Sequence, residues 1–297
     1  MGFKCNMKIC NILPRKIILP ILTASAIAFP VKTAEECAAR MVSDIPISMV
    51  YNSNKIQPRD LDGLKIVADT NFEGGISHRF DDESIQKLKK RILMPDSLLE
   101  YKLPIENTSN VYLEPFGYFF ANRPYGNKTR PHLGLDIFAS QFSRKPKKPV
   151  LITAPVDGVI ISHKRAREKD NSIGNCVVLL GRDGRRYAFD HMARPNDYKD
   201  SVPMPTVGTI MKAGDSIGYV GSTGETAMWH LHLTVMTDEE AEAQNASDAW
   251  RNLASRIKYC ELRGQVNPLD REKAGPIADL LCKYRGAKSN AVGKFKL

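Results

Sequence analysis

The sequence has 297 residues, of which 42% are hydrophobic and 26% charged, and this is the composition of an ordinary globular protein. A wholly disordered chain and a collagen-like repeat are therefore excluded. The formal net charge of +10 permits an acidic partner such as an anionic polymer, but alone it identifies none. At roughly 150 residues per domain, the length suggests about two domains, or one domain with attachments.

The chain begins with a basic stretch that precedes an uncharged apolar run at residues 17–31. This run is shorter than the roughly 20 apolar residues that span a bilayer, and two prolines interrupt it. Ala26 and Ala28 supply the small residues of a signal-peptidase site. We therefore expect a signal peptide at residues 1–28 and an exported protein, whether periplasmic, cell-wall associated or secreted. The alternative is a membrane anchor formed by the uncleaved apolar run.

Four cysteines follow the expected signal peptide, namely Cys37, Cys176, Cys260 and Cys282. An oxidising compartment permits disulfides among them. Cys176 lies in an apolar, strand-like run and is expected to be a buried thiol. Cys260 and Cys282 fall on apolar stripes of helical patterns, which makes them the best candidate pair. The absence of a Cys-x-x-Cys motif disfavours a cysteine-based zinc site.

Three regions follow in chain order. Residues 29–100 are mixed, with a helix predicted near residues 83–94, where apolar residues recur at helical spacing before a proline. Residues 101–237 are predicted to be β, because short apolar runs alternate with turn signals. A hairpin is expected around Asp183-Gly184.

Residues 238–297 are predicted to form a helical extension. One apolar stripe runs from Trp250 to Cys260, and a second helix is expected to begin at Pro276. The fold class expected from these patterns is mainly β with helical flanks, α+β overall.

Four of the six histidines occur in a suggestive arrangement. His132 precedes Asp136 by four residues, His191 ends the strand after the hairpin, and His230 and His232 share the last predicted strand. Imidazole nitrogens and carboxylate oxygens are common zinc ligands, and a catalytic zinc typically has three protein ligands and one open position. His132, Asp136 and one of the two late histidines supply such a set.

The spacing of these residues constrains the site. His230 and His232 face the same side of a strand about 6.6 Å apart, so one is expected on the metal and the other beside it. A straight strand would hold His132 and Asp136 about 13 Å apart, too far for a shared ion. The chain must therefore bend between them, and Gly134 is where it can.

Several ordered segments resemble the lysostaphin-like (LytM-type) zinc endopeptidases over roughly residues 112–236. In chain order they are Glu114-Pro-Phe-Gly-Tyr118, His132-Leu-Gly-Leu-Asp136, Ala154-Pro-Val-Asp-Gly-Val159, Gly174-Asn-Cys-Val-Val178, Phe189-Asp-His-Met192, the run from Gly214 to Gly224, and His230-Leu-His232. The resemblance implies the duplicated hybrid motif fold, a compact antiparallel β-sheet or sandwich core with the site in an open groove. It also implies peptide cross-bridges or stem peptides of bacterial peptidoglycan as substrates, and hence cell-wall remodelling.

By this resemblance His132, Asp136 and His232 bind zinc, while His230 and His191 flank the reacting water. Zinc chemistry still requires a base, and the sequence has no His-Glu-x-x-His helix to supply a glutamate. Histidine titrates near neutral pH and can act as that base. We assign His230 as general base and His191 to stabilising the oxyanion or protonating the leaving amine. Which histidine has which role stays open.

The sequence departs from the family pattern at several places near these residues. Met228-Trp229 stands where the family usually has Gly-Pro, Leu233-Thr234 replaces the usual Phe-Glu, and Phe189 stands where tyrosine is usual. These changes affect groove shape and substrate choice and leave the ligands in place. Tyr118 and Tyr125 are the candidates for an assisting tyrosine.

The sequence also permits functions other than peptidoglycan hydrolysis. A non-catalytic module that binds peptidoglycan and activates another wall hydrolase is the first alternative. An exported protease acting on proteins is another. Nucleic-acid binding by the basic runs 144–148 and 164–169 is not expected, because neither run has interleaved aromatic residues. Those runs are expected to be solvated loops or contacts to an anionic wall polymer, and His163 beside the second run is expected to be solvated. Residues 29–100 are a candidate latency segment over the groove. A membrane contact is expected only if the N-terminal segment stays uncleaved.

Overall fold

The computed structural model of the chain describes residues 55–68, 75–105, 111–119, 121–125, 128–139, 144–166, 174–200, 202–226, 228–237 and 265–284. All of these lie in the unit Lys55–Leu297. The expected signal peptide, Cys37, Cys260 and the apolar stripe from Trp250 lie outside the described residues. Among the described helices, none combines the length and apolar character that crossing a membrane requires.

The first described elements are β1 (Ile66–Ala68), β2 (Gly75–Phe80) and α1 (Asp82–Ile92). Short 3-10 helices lie at Pro58–Leu61 and Asp96–Leu98. The side chain of Asp81 caps α1 by accepting a hydrogen bond from the backbone of Ser84, with acidic residues in the first turn and basic residues in the last. The helix predicted near residues 83–94 is therefore confirmed.

The remaining strands follow in chain order. They are β3 (Asn122–Tyr125), β4 (Lys128–Pro131), β5 (Leu135–Phe138), β6 (Leu151–Thr153), β7 (Gly158–Ala166), β8 (Asn175–Gly181), β9 (Arg186–Met192), β10 (Ile210–Met211), β11 (Ser216–Tyr219), β12 (His230–Met236) and β13 (Gln265–Val266). A third 3-10 helix lies at Pro115–Gly117. The hairpin expected around Asp183-Gly184 is the one that joins β8 to β9.

The described strands form one large antiparallel sheet and two small ones. The large sheet has the order β1-β2-β7-β8-β9-β12-β13, with β10 paired to β7 and β5 paired to β12. The strands β6 and β11 form one two-stranded sheet, and β3 and β4 form the other. The fold is thus mainly antiparallel β with few helices, as the sequence predicts. Because β2 pairs with β7, the large sheet includes strands from both sides of the boundary expected at residue 100.

The two faces of the large sheet differ in character. Along β12, alternate residues from Leu231 to Val235 are fully buried in the main hydrophobic core. Successive side chains of a strand point to opposite faces, so His230, His232 and Thr234 lie on the other face. The alternation of apolar and polar residues in β12 therefore places its two histidines together.

Helix α1 covers one part of that second face. Leu88 and Ile92 pack against Val159 and Ile161 of β7 and Leu180 of β8 in a separate hydrophobic cluster. The intervening residue of β7, Ile160, enters the main core. This strand is buried on both faces, which explains its nearly continuous apolar run at this end.

The C-terminal described elements close the main core. They are α2 (Arg271–Ala274) and α3 (Pro276–Leu281), and the second has proline at its first helical position as predicted. Beyond α3, the buried Tyr284 hydroxyl donates a hydrogen bond of 2.6 Å to the carbonyl oxygen of Ile105. The amide of Ile105 in turn donates to that hydroxyl. The C-terminal segment is thereby fixed to the core.

The structure differs from the sequence prediction at His163 and Lys164 and agrees with it at Cys176. His163 is only 8% exposed and Lys164 only 4%, so neither is solvated as expected. The reason is that β7 is an interior strand, paired with β2 on one side and β8 on the other. Cys176 is a buried free thiol as predicted. Cys282 is also a free thiol, and its expected partner Cys260 lies outside the described residues.

Candidate metal centre

The centre is built on the pairing of β5 with β12. In this register Asp136 lies directly opposite His232, and opposed residues of an antiparallel pair project to the same face. His132 enters from the segment after β4, where its backbone amide donates to the carbonyl oxygen of Ala121. Three residues that are distant along the chain thus converge on one face of the sheet.

The chain bends at Gly134, between the two residues of the first motif. A β-carbon placed on Gly134 would lie 2.5 Å from Nε2 of His232 and 2.8 Å from the carbonyl oxygen of Leu233. The backbone of Gly134 has no positive φ. Glycine is needed here because the bend passes directly against the imidazole of His232, not because of its conformational freedom.

Three potential ligand atoms meet at the centre. Nε2 of His132 lies 2.8 Å from Nδ1 of His232 and 3.0 Å from Oδ1 of Asp136. Nδ1 of His232 lies 2.8 Å from the same Oδ1. Among the described residues, these three form the one group of histidine, cysteine and acidic side chains whose geometry suits a metal ion. In a tetrahedral zinc site, ligand atoms are separated by roughly 3.3 Å, so the cluster needs little expansion to hold zinc.

Each imidazole has its outer nitrogen engaged elsewhere. Nδ1 of His132 lies 3.0 Å from the carbonyl oxygen of Tyr118, so it carries the proton and donates. Nε2 of His232 lies 3.3 Å from the hydroxyl of Thr234. When Nε2 donates to that hydroxyl, the inner nitrogen of His232, like that of His132, presents a lone pair to the centre.

Two lone pairs and a carboxylate oxygen then face one another with no proton between them. Asp136 is fully buried. Burial alone would raise the pKa of this carboxyl. When the centre holds protons in place of a cation, charge on His132 and His230 and hydrogen bonds from His132 and His232 lower that pKa well below its usual range. Asp136 is therefore a carboxylate, and a cation at this point would relieve the repulsion among three acceptors. The chemistry of the donor set fits zinc.

Two further histidines stand beside the three ligand atoms. His230 is 1% exposed, and its Nε2 lies 3.5 Å from Oδ2 of Asp136. Its Nδ1 donates to the carbonyl oxygen of Met228 at 3.0 Å. The ring of His191 lies 4.9 Å from that of His230 and 5.9 Å from that of His232. The five polar residues singled out from the sequence are thus all brought together.

The backbone of His191 has φ of +62°, a left-handed conformation that residues other than glycine seldom adopt. Nδ1 of His191 donates to the carbonyl oxygen of Thr223 at 2.7 Å. The buried hydroxyl of Thr223 donates to the carbonyl oxygen of Met192 and accepts from the amide of Asn175. Burial, followed by the charges of His230 and His232, lowers the pKa of His191 to about 3, so its imidazole is neutral at neutral pH.

A second carboxylate lies on the other side of His232. Asp190 on β9 is directly opposite His232, as Asp136 is on β5. Burial raises the pKa of Asp190, while the charge of His232, a hydrogen bond from Cys176 and the charge of Lys164 act in the opposite direction. Cys176 lies opposite Lys164 in the next strand pair. A row of buried polar residues therefore continues from the ligands across the sheet.

Tyr118 and Tyr125 are the candidates for an assisting tyrosine. The buried side chain of Tyr118 lies in the main core, and its contribution to the centre is its carbonyl oxygen. The side chain of Tyr125 lies outside what the structure describes. Sequence reasoning missed the positions of Thr223, Thr234 and Asp190. The two-residue period of β12 could have indicated Thr234, whereas Thr223 and Asp190 meet His191 and His232 only through contacts between distant segments.

Two imidazoles and a carboxylate are a ligand set that suits a catalytic zinc ion. Residues 130–245 match the model of peptidase family M23, and this range includes all five clustered residues. The chain therefore contains a domain of this family, the lysostaphin-like (LytM-type) peptidases. A comparison with curated proteins finds no significant match.

Solved structures that resemble the chain include three of different origin. The catalytic domain of lysostaphin from Staphylococcus simulans is 24% identical and covers 52% of this chain and 87% of its own, with a TM-score of 0.33. A chain of the SpoIIQ–SpoIIIAH pore-forming complex is 16% identical and covers 64% of this chain and 99% of its own, with a TM-score of 0.40. A putative M23 peptidase from Pseudomonas aeruginosa is 19% identical and covers 52% of this chain and 54% of its own, with a TM-score of 0.30. All three are distant resemblances.

Proposed function

We propose that this protein is a zinc-dependent endopeptidase that hydrolyses peptide bonds in bacterial peptidoglycan. The observation that carries the proposal is the convergence of His132, Asp136 and His232, whose ligand atoms lie within 3.0 Å of one another. The match to peptidase family M23 supports the same class of reaction. When bound there, zinc would polarise a substrate carbonyl and lower the pKa of water.

His230 is the residue we assign as general base. Its Nδ1 is committed to the carbonyl oxygen of Met228, which leaves Nε2 free of a proton in the neutral ring. The nearby Oδ2 of Asp136 favours the positive charge that appears when Nε2 accepts a proton from the attacking water. His230 can therefore remove that proton and hold it on an oriented imidazole.

His191 is assigned to the opposite end of the reacting bond. Its Nδ1 is bonded to Thr223, so Nε2 is the atom that faces the reacting groups. The neutral ring has a lone pair at Nε2, and a proton taken up there during the reaction can be passed to the leaving amine or held as an N–H against the developing oxyanion. The strained backbone of His191 fixes this orientation before substrate arrives.

The compartment and substrate complete the proposal. Export through the N-terminal segment would place the protein in the periplasm or at the cell wall, where peptidoglycan peptides are available. Cross-bridges and stem peptides are the substrate class, and the bond that is cut is to be read from the products.

The test is digestion of purified peptidoglycan by the exported form of the protein. The fragments are identified by mass spectrometry with protein as purified, with a chelator, and with zinc restored. We expect new amine and carboxyl termini that disappear with the chelator and return with zinc. Unchanged fragments with fully metal-loaded protein would count against hydrolysis.

Variants separate the metal ligands from the proposed base. His132→Ala and Asp136→Ala should lose both zinc and activity, because each removes a ligand atom. His230→Ala should keep stoichiometric zinc and lose activity. A His230→Ala protein that cleaves at the parent rate would show that the base is assigned wrongly. Stoichiometric zinc and tight wall binding without turnover in the parent would instead favour the non-catalytic module.

A further inference from the structure

A pocket of about 440 Å³ opens beside the loop that follows β9. This volume lies within the range of small-molecule sites, which typically measure about 300–1,000 Å³. Its wall includes the loop residues Ala193 and Arg194, the end of β7 at Arg165, and Met204 and Tyr219. The ligand atoms of the metal centre do not line it, so the pocket is separate from that centre.

The lining of the pocket combines apolar surface with positive charge. Arg165 and Arg194 are its two charged residues, and no acidic residue lines it. The apolar part comes mainly from alanine, proline, valine and methionine side chains, with the ring of Tyr219. Guanidinium groups bind carboxylates through paired, charge-assisted hydrogen bonds. The lining thus suits a short apolar peptide that ends in, or carries, a carboxylate.

The pocket is joined to the catalytic machinery through Asn175. The side chain of this residue donates to the carbonyl oxygens of Met192 and Ala193, the two residues directly after His191. Its backbone amide donates to the Thr223 hydroxyl. Asn175 therefore forms a wall of the pocket and also supports the segment that carries His191. A ligand in the pocket would therefore contact the segment that directly follows His191.

Aromatic residues connect the same pocket to His230. The ring of Tyr219 lies 5.4 Å from that of Tyr198, which lies 5.9 Å from the indole of Trp229, the residue before His230. The exposed ammonium of Lys145 lies 5.1 Å from the Tyr198 ring centre and 5.3 Å from that of Trp229. A third cation is thereby held along the edge between pocket and centre.

We infer that this pocket is a substrate subsite that binds a carboxylate on a short apolar peptide through Arg165 and Arg194. The inference rests on the proposed function, since it specifies which peptides the hydrolase accepts. Peptides with a free carboxylate are bound there, and peptides with a neutral amide at the same position are bound weakly.

Binding to the protein without zinc tests the subsite independently of turnover. The probes are acetyl-D-Ala-D-Ala with a free carboxyl terminus and the same dipeptide as its carboxamide. Chemical shifts of ¹⁵N-labelled protein are followed during titration, with Ala193 and Arg194 as local reporters. We expect the acid to bind about tenfold more tightly than the amide, because hydrogen bonds to a charged group are involved.

Two variants test which residues cause the preference. Arg165→Gln and Arg194→Gln together should reduce the ratio of the two affinities to about one, since the carboxylate loses both guanidinium partners. Arg59→Gln, an exposed arginine outside the pocket lining, should keep the parent ratio. Thermal unfolding of each variant shows that the fold is retained.

The outcomes separate the subsite from the proposed function. Equal affinities in the parent, or a preference that survives in the double variant, would overturn the subsite. A preference that depends on the arginines, in a protein that never cleaves peptidoglycan, leaves the subsite standing and removes the hydrolase. Cleavage of peptidoglycan by a protein that binds the acid and the amide equally would support the hydrolase and overturn the subsite.

Discussion

At the scale of single residues, the conformation of His191 is the most demanding feature of the site. A left-handed φ outside glycine costs free energy, on the order of 1–3 kcal/mol, and persists only when its surroundings enforce it. Here the enforcing contacts come from Thr223 and Asn175. Thr223 holds the ring of His191, and both residues bind the carbonyl oxygens of the backbone directly after it. These two are positioning residues, because they act on the reaction only through His191.

Replacing the Thr223 hydroxyl tests this positioning. Thr223→Val keeps the side-chain shape but removes the bonds to Met192 and Asn175, and we expect kcat to fall about 10- to 100-fold with zinc content unchanged. Thr223→Ser restores the hydroxyl and should recover most of kcat. Thr206→Val, at an exposed loop position, is the matched control and should behave as the parent. Equal kcat for parent and Thr223→Val, measured well below their melting temperatures, would show that the hydroxyl does not position His191.

At the scale of elements, the bend before β5 allows the first motif to close on the second. Gly134→Ala places a methyl group against both the His232 ring and the Leu233 carbonyl oxygen. The carbonyl oxygen belongs to the backbone, so it cannot move aside without distorting the strand. We expect zinc affinity to fall at least about tenfold, because one ligand is displaced. Competition with a chromogenic chelator measures this, and Leu133→Ala is a control in the same bend. Unaltered affinity in Gly134→Ala would mean that the bend adapts.

Strand β7 carries a buried histidine that makes stability depend on pH. Burial, and then the charges of Arg165 and His78, lower the pKa of His163 below its value of about 6.5 in the unfolded chain. The unfolded state therefore binds a proton at pH values where the folded state does not. The contribution to stability is complete above the unfolded pKa and is lost as the pH falls below about 6.5.

Melting temperatures of zinc-free protein provide the measurement. Between about pH 7.5 and about pH 5 the parent should lose more stability than His163→Asn, in which the titrating group is absent. His78→Asn removes one of the charges that lower the pKa of His163, so its loss should lie between those of the parent and His163→Asn. Identical losses in the parent and His163→Asn would contradict the assignment.

The sequence predicts those parts of the molecule that depend on local periodicity. The alternation in β12 indicates that His230 and His232 share a face, and the glycine in the first motif indicates the bend that brings His132 to Asp136. The capping and apolar spacing of α1 likewise determine its limits closely. These features follow from neighbours in the chain, so one sequence suffices to infer them.

Contacts between distant segments were beyond such reasoning. Thr223 supports His191 across 32 positions, and Asp190 meets His232 only through the register of two strands. His163 and Lys164 appeared to be a solvated basic run because the pairing of β7 with β2 has no local signature. The division at residues 28, 100 and 237 and the assigned catalytic roles stay predictions.

At the scale of the whole molecule, a bound ion would join three separate segments of the fold. Zinc binds the folded state alone when its ligands are assembled only there, and a free concentration about 1,000 times Kd would add about 4 kcal/mol to the free energy of unfolding. We expect a chelator to lower the melting temperature by several degrees. In Asp136→Ala the chelator should have no effect, and a similar shift there would place the metal elsewhere.

Strand β5 is only four residues long, and Asp136 is its contribution to the metal centre. A short strand tied at its middle by an ion should exchange its amide hydrogens for deuterium much more slowly than the same strand without the tie. The longer strand β8, which pairs with β7 and β9, holds none of the three ligand residues, so its exchange rate should change little when the ion binds. Deuterium uptake at residues 135–138 would thus indicate occupancy of the centre in protein that carries no substrate at all.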